Sequence, residues 1–151
     1  AIEIQSDGTP RRPAVHVRDV CEAFIAALEA DAAIVDGRAF NVGVADGNYT
    51  VRQLALAAQA AVPGTDLVFT GEHGADARTY SVSFERILTE LSAHYRPGWD
   101  LERGGRELHV FLKEAKFTLS DFRGSRCNRL IRINELLESG RVDESLRLGR
   151  G

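Results

Sequence analysis

The stretch Ser6–Phe24, SDGTPRRPAVHVRDVCEAF, decides how the rest of the chain is read. It opens on Asp7-Gly8 and then sets Arg11 and Arg12 between Pro10 and Pro13. A short apolar run containing His16 follows, and then a helix begins. Asp-Gly favours a tight turn because glycine tolerates positive φ. Each proline fixes its own φ and restricts the residue before it. RRPAVHV (11–17) therefore reads as a short strand with two arginines at its mouth. Asp19, with Glu22 three positions on, matches a capping box. Val20, Cys21, Phe24, Ile25 and Leu28 recur at helical spacing, which predicts a helix over 20–30.

Upstream, AIEIQ (1–5) alternates as a strand does, and downstream RAFNVG (38–43) reads as a strand that stops at Gly43. Thr50 and Gln53 repeat the capping pattern ahead of an alanine-rich helix over 51–62, halted by Pro63-Gly64. DLVFTG (66–71) and RTYSV (78–82) read as further strands, and Ser83 as the cap of a helix carrying Phe84, Ile87, Leu88 and Leu91. Leu101, Leu108, Phe111, Leu112 and Ala115 mark another helix, whose first turn Gly104-Gly105 weakens. RLIRINELLESG (129–140) is amphipathic, with Gly140 in the C′ position. Helices and strands mix, so the fold class is α/β or α+β.

The 151 residues suit one domain, and a hydrophobic share of 44% can build a core. A net charge of −3 argues against a general nucleic-acid binder. Arg123, Arg126, Arg129 and Arg132 recur every three residues, a spacing that drifts around a helix. They read as a solvated face or a subunit contact rather than a phosphate site. No apolar run reaches the roughly 18 residues of a membrane span. Cys21 and Cys127 match no metal spacing and read as reduced thiols of a cytoplasmic protein. The opening on AIEIQS, without an initiator Met, reads as a cut from a longer protein.

Most enzyme readings find no residues to carry them. His16, His73, His94 and His109 pair with no other ligand at metal spacing. No G-x-S-x-G elbow, P-loop or H-E-x-x-H occurs. Tyr49, Tyr80 and Tyr95 are followed four residues on by Gln53, Phe84 and Trp99, so a Tyr-x-x-x-Lys dyad is absent. The arginines remain. A guanidinium on a stiff turn is well placed to grip a phosphate with two parallel hydrogen bonds. Taken alone, the same residues read first as two solvated side chains on a loop. His16 reads as a satisfied histidine on a half-buried strand, and Asp19 as a helix cap.

The order of the blocks resembles a known family. SDGTPRRPAVHVRDVCEAFIAALEA, then GRAFNVGVADGNYTVRQLALAAQ, then DARTYSVSFERILTEL, is similar to the C-terminal half of the extended short-chain dehydrogenase/reductases. These are the NAD-dependent nucleotide-sugar epimerases and dehydratases. The family pattern, roughly G-D-G-x-x-x-R-x-x-x-H-V-x-D, is met by Asp7, Gly8, Arg12, His16, Val17 and Asp19, with Ser6 in place of the first glycine. The resemblance runs from about Ile2 to Ala115, with a tail to Leu148.

The resemblance implies a single C-terminal substrate-binding domain over 1–151, with a helical tail over 116–151 and without a complete Rossmann domain. It implies that Arg12 binds the diphosphate of a nucleotide-sugar, with Arg11 as its neighbour. His73, Asp76 and Arg78 lie where the family carries a second basic residue; Arg78, permanently charged, is the better candidate over His73. Asn41 is either a strand-terminal turn residue or a contact in the cleft. The family's aromatic residue two places after the first arginine is Ala14 here. No catalytic residue is assigned. NAD or NADP would belong to the absent N-terminal Rossmann half, and none is expected on this chain. That half, or another copy in a homo-oligomer, is expected to cover the apolar faces of 20–30 and 38–43; no nucleic-acid or membrane partner is expected. The alternative is a stand-alone, non-catalytic module that binds a nucleotide-sugar or a protein.

Overall fold

The computed structural model describes residues 1–71 and 79–148. In chain order its elements are β1 (Ile2–Ile4), β2 (Arg11–Pro13), α1 (Val17–Glu29), α2 (Ala32–Val35), β3 (Asn48–Thr50), α3 (Val51–Ala61), β4 (Leu67–Phe69), α4 (Glu85–Glu90), α5 (Leu101–Glu114), α6 (Leu119–Arg123) and α7 (Arg129–Glu138). The fold is mixed α/β. The chain divides into two compact units, Ala1–His109 and Val110–Gly151.

In the first unit, β1 and β4 form a parallel pair with Ile2 opposite Leu67 and Ile4 opposite Phe69. Among the described residues neither strand has a second neighbour. Parallel strands are ordinarily enclosed within larger sheets, so this pair leaves open edges. The other ribbon is antiparallel, β2 with β3, in the register Arg11–Thr50, Arg12–Tyr49 and Pro13–Asn48. It is lengthened by hydrogen bonds from Ala14 N to Gly47 O, from Val51 N to Pro10 O and from Arg52 N to Gly8 O. Gly8 is required here twice over. Its φ is +84°, and a Cβ would stand 2.8 Å from the Phe69 ring and 2.9 Å from Arg52 Cβ.

Helix α1 begins earlier than the sequence pattern indicates. His16 is its N-cap, and His16 Nδ1 accepts the N–H of Arg18 at 3.2 Å. RRPAVHV is a strand only over Arg11–Pro13. Asp19 therefore falls in the first turn and is not the cap. Only 1% exposed, it accepts the N–H groups of Gly98 and Trp99 at 3.0 and 3.2 Å. Two faces of α1 differ sharply. Ala23 and Ala26 pack into a small core with Phe84, Ile87, Leu91 and Tyr95, and their small side chains allow close approach. On other sides of the helix Val17, Phe24 and Leu28 are 66%, 70% and 86% exposed, with Cys21 and Ile25 also exposed.

Two further strand expectations fail for one reason. Residues 38–43 run outside any strand, although Phe40 and Val42 pack against the core. Side chains stand in for a ladder: Arg86 donates to Ala39 O at 3.0 Å, and the Tyr95 hydroxyl donates to Gly43 O at 3.1 Å. Thr79–Val82 is likewise outside any strand; the Asn48 side chain takes both backbone groups of Val82. Helix α4 has Phe84, not Ser83, at its N-cap, and Ser83 Oγ makes only a long contact of 3.4 Å to Glu85 N. Helix α3 carries the expected Thr50–Gln53 capping box.

The second unit is helical. Thr118 and Asp121 make a capping box on α6. Asn128 caps α7, accepting from Leu130 N and Ile131 N. Val142 and Leu148 pair antiparallel beyond it. The four arginines do not share one helix. Arg123 ends α6, Arg126 pairs with Asp121, and Arg129 and Arg132 lie on α7, where Arg132 pairs with Glu135. Among the described residues no helix is long and apolar enough to cross a membrane.

Candidate functional site

The antiparallel ribbon presents the two arginines differently. Arg11 and Arg12 are consecutive, so they start on opposite faces of the strand. Arg11 is committed to local structure: its Nη1 donates to Asn48 O at 3.1 Å, and its backbone N–H donates to Thr79 Oγ1 at 3.0 Å. Arg12 is opposite Tyr49 and half-buried. Its Nη1 donates to Arg11 O at 2.8 Å, and its guanidinium carbon lies 5.8 Å from the centre of the Tyr80 ring. The planar cation thus lies against an aromatic face, an arrangement that orients the guanidinium.

The chain from Thr79 to Ser83 forms the facing side. Asn48 Oδ1 accepts Val82 N–H at 2.8 Å, and Asn48 Nδ2 donates to Val82 O at 2.9 Å. Asn41 Nδ2 donates to Ser83 O at 3.2 Å. The structure thus attaches Asn41 to this same segment as a tether. Arg78 and His73, with Asp76, lie outside the described residues. Tyr49 titrates above its ordinary range, chiefly because burial disfavours the phenolate, with Asp100, Asp46 and Asp19 adding to the effect.

A second polar cluster ties α1 to α5. His16 Nε2 is 2.9 Å from Glu107 Oε2, and Arg18 Nη2 is 2.7 Å from Glu107 Oε1. The imidazole stacks on Trp99 at 4.0 Å with the planes 9° apart. Arg103 covers the same indole at 3.8 Å and donates to Gly98 O at 3.0 Å. Gly104 admits the ring, since a Cβ there would stand 3.1 Å from His16 Cδ2. His16 is satisfied, as read from sequence, but as a helix cap and not on a strand. Every lone pair and N–H of its ring is occupied, so this cluster braces the fold.

A cavity of about 410 Å³ is lined by Ala45, Val82, Ser83, Phe84, Glu85, Leu88 and Thr89. It has an acidic side chain and no cation in its wall, which is unsuited to a diphosphate.

Comparison with known families adds one finding. The model of the NAD dependent epimerase/dehydratase family matches residues 1–43. The match covers β1, the arginine strand β2 and all of α1, and it includes Arg11, Arg12, His16 and Asn41. No curated protein matches the chain.

Sequence reading missed Asn48, Tyr80, Trp99 and Glu107. Asn48 ends a DGN sequence, a composition that favours a turn, and its partner Val82 is 34 residues away. Trp99 is the chain's single tryptophan, which was the one available signal.

Proposed function

We propose that this chain is the substrate-binding portion of an NAD-dependent nucleotide-sugar epimerase or dehydratase. In this reading Arg12 grips the diphosphate, and the wall from Thr79 to Ser83 faces it. The observation that carries the reading is where the family match falls. Residues 1–43 contain the half-buried Arg12, and they also contain α1 with its bare apolar stripe and β1 with an open edge. A helix face of that kind and a parallel strand whose second edge is open among the described residues both call for another body. An NAD-binding half supplies one.

Among the described residues none fits the dinucleotide. Gly8, the glycine after β1, is packed against Phe69 and Arg52, so the space that a pyrophosphate cradle would need is filled by protein. The sequence also holds no glycine-rich dinucleotide loop and no Tyr-x-x-x-Lys. NAD or NADP, which supplies the hydride chemistry in such enzymes, belongs to the other half in this proposal. This chain's own residues bind and orient the nucleotide-sugar.

Calorimetric titration of the chain with uridine, thymidine and guanosine diphosphates tests the reading. Binding of one of them is expected, without turnover of its sugar conjugate in the presence of NAD. Absence of binding by all three would reject it, as would turnover by the chain above a mock purification.

A further inference from the structure

We infer that Asn48 is a positioning residue: it fixes the segment from Thr79 to Ser83 against the arginine ribbon and so sets Tyr80 over Arg12. The inference rests on the diphosphate reading for its functional meaning, although the clamp itself does not.

The geometry is that of a side chain replacing a strand. A primary amide offers a donor and an acceptor side by side, as a peptide group does. Asn48 applies both to Val82, at 2.9 and 2.8 Å. Its own backbone O accepts from Arg11 Nη1 at 3.1 Å, so one residue joins the ribbon, an arginine and the facing segment. Thr79 adds a bond at the near end, accepting from Arg11 N at 3.0 Å, and Asn41 adds one at the far end through Ser83 O. Tyr80 lies between these ties. It is 53% exposed and has no place in the core, so packing does not hold its ring. Its position follows from the backbone on either side.

Asn48 is also half-buried, which raises the worth of its bonds. Losing a side-chain amide there leaves the N–H and C=O of Val82 without their partners. No other residue type supplies both groups at this length. Aspartate offers two acceptors to a carbonyl that needs a donor, and leucine offers neither.

The test compares Asn48→Leu, Tyr80→Ala and the double variant. Hydrogen exchange is read without ligand, and affinity is read with uridine diphosphate. In Asn48→Leu the Val82 amide is expected to exchange about tenfold faster or more, as for a local opening that has lost its hydrogen bonds. The amides of Ala26 and Ile87 in the core should be unchanged, which guards against a variant that has merely unfolded; Asn48→Ser replaces it in that event. The dissociation constant for uridine diphosphate should rise about tenfold in Asn48→Leu, the equivalent of one to two hydrogen bonds. In the Tyr80→Ala background the same change should have little further effect, because a residue that acts through Tyr80 has nothing left to place. Multiplicative losses in the double variant would overturn the inference, as would an unchanged Val82 amide. If the unmodified chain takes no uridine diphosphate, the substrate reading falls, and the Val82 exchange alone upholds or overturns the clamp.

Discussion

Asp19 accepts the backbone N–H of Trp99 at 3.2 Å, and with its other oxygen that of Gly98 at 3.0 Å. The carboxylate is 1% exposed. It ties the first turn of α1 to the loop that leads into α5. Trp99 then carries the stacked His16 ring and the Arg103 guanidinium. A buried carboxylate between two amide donors is a charge-assisted arrangement.

Asp19→Ala should therefore destabilise the chain by about 2–3 kcal/mol, since two part-buried hydrogen bonds to a charged acceptor are lost. Asp19→Asn keeps one acceptor oxygen and should lose about half as much. Urea unfolding followed by Trp99 fluorescence checks both. A loss below about 0.5 kcal/mol for Asp19→Ala, the range of ordinary surface changes, would rule out the structural role.

Tyr95 yields a prediction about alkaline pH. Its hydroxyl donates to Gly43 O at 3.1 Å, and burial, with a smaller contribution from Asp19, pushes its pKa from 10.0 up to about 12. The folded state thus keeps its proton where the unfolded chain has released it. Stability from this group is complete below pH 10 and is lost as pH rises toward 12. Tyr95→Phe should flatten the fall in stability across that window, at a loss near neutrality of about 1 kcal/mol for the missing hydrogen bond. Tyr49 is shifted in the same direction, so a residual slope is expected. An unchanged slope in Tyr95→Phe would show that its titration is not linked to folding.

The bare stripe of α1 gives a prediction about association. Val17, Cys21, Phe24 and Leu28 follow one another at spacings of four, three and four, which lines them along one side of a helix. Without another body to cover them, copies of the chain are expected to associate through this stripe. Phe24→Ser combined with Leu28→Ser should give a monomer by light scattering, with stability changed by no more than about 0.5 kcal/mol because neither residue belongs to the core. A monomeric parent chain at all accessible concentrations would contradict it.

How much of this was legible in the sequence depended on the range of the forces involved. The Thr50–Gln53 box, the amphipathic run from Arg129 and the run from Leu101 to Glu114 are local, and their helices lie where periodicity puts them. The start of α1 was misread because a histidine caps it, while the better local candidate, Asp19, is recruited by N–H groups 79 and 80 residues away. Strand expectations at 38–43 and 78–82 rested on alternating apolar residues. What they lacked was a partner strand, and whether one exists is decided by tertiary structure. In the proposed site, Arg12 is singled out by the sequence pattern. Asn48 and Tyr80 are not, because their meaning comes from a contact that spans the chain.

The two arginines separate the binding proposal from a general effect of charge. Arg12 is half-buried, opposite Tyr49 and beside Tyr80, whereas Arg11 is exposed and directed to Asn48 O. If Arg12 holds a diphosphate, Arg12→Ala should weaken binding of the cognate nucleoside diphosphate by about 1.5–3 kcal/mol, the usual worth of a hydrogen bond to a charged group. Arg12→Lys should recover only part, because an ammonium offers no bidentate fork. Arg11→Ala removes the same formal charge one residue away, but it breaks only an exposed bond to a backbone carbonyl. Its effect on affinity should stay below about 1 kcal/mol. Raising the salt concentration should diminish a screened, long-range contribution from either arginine while leaving most of the difference between them. Isothermal titration of the three variants at two salt concentrations measures all of these. Equal losses for Arg11→Ala and Arg12→Ala would assign the effect to net charge, and no loss in either would return both side chains to solvated positions on a ribbon.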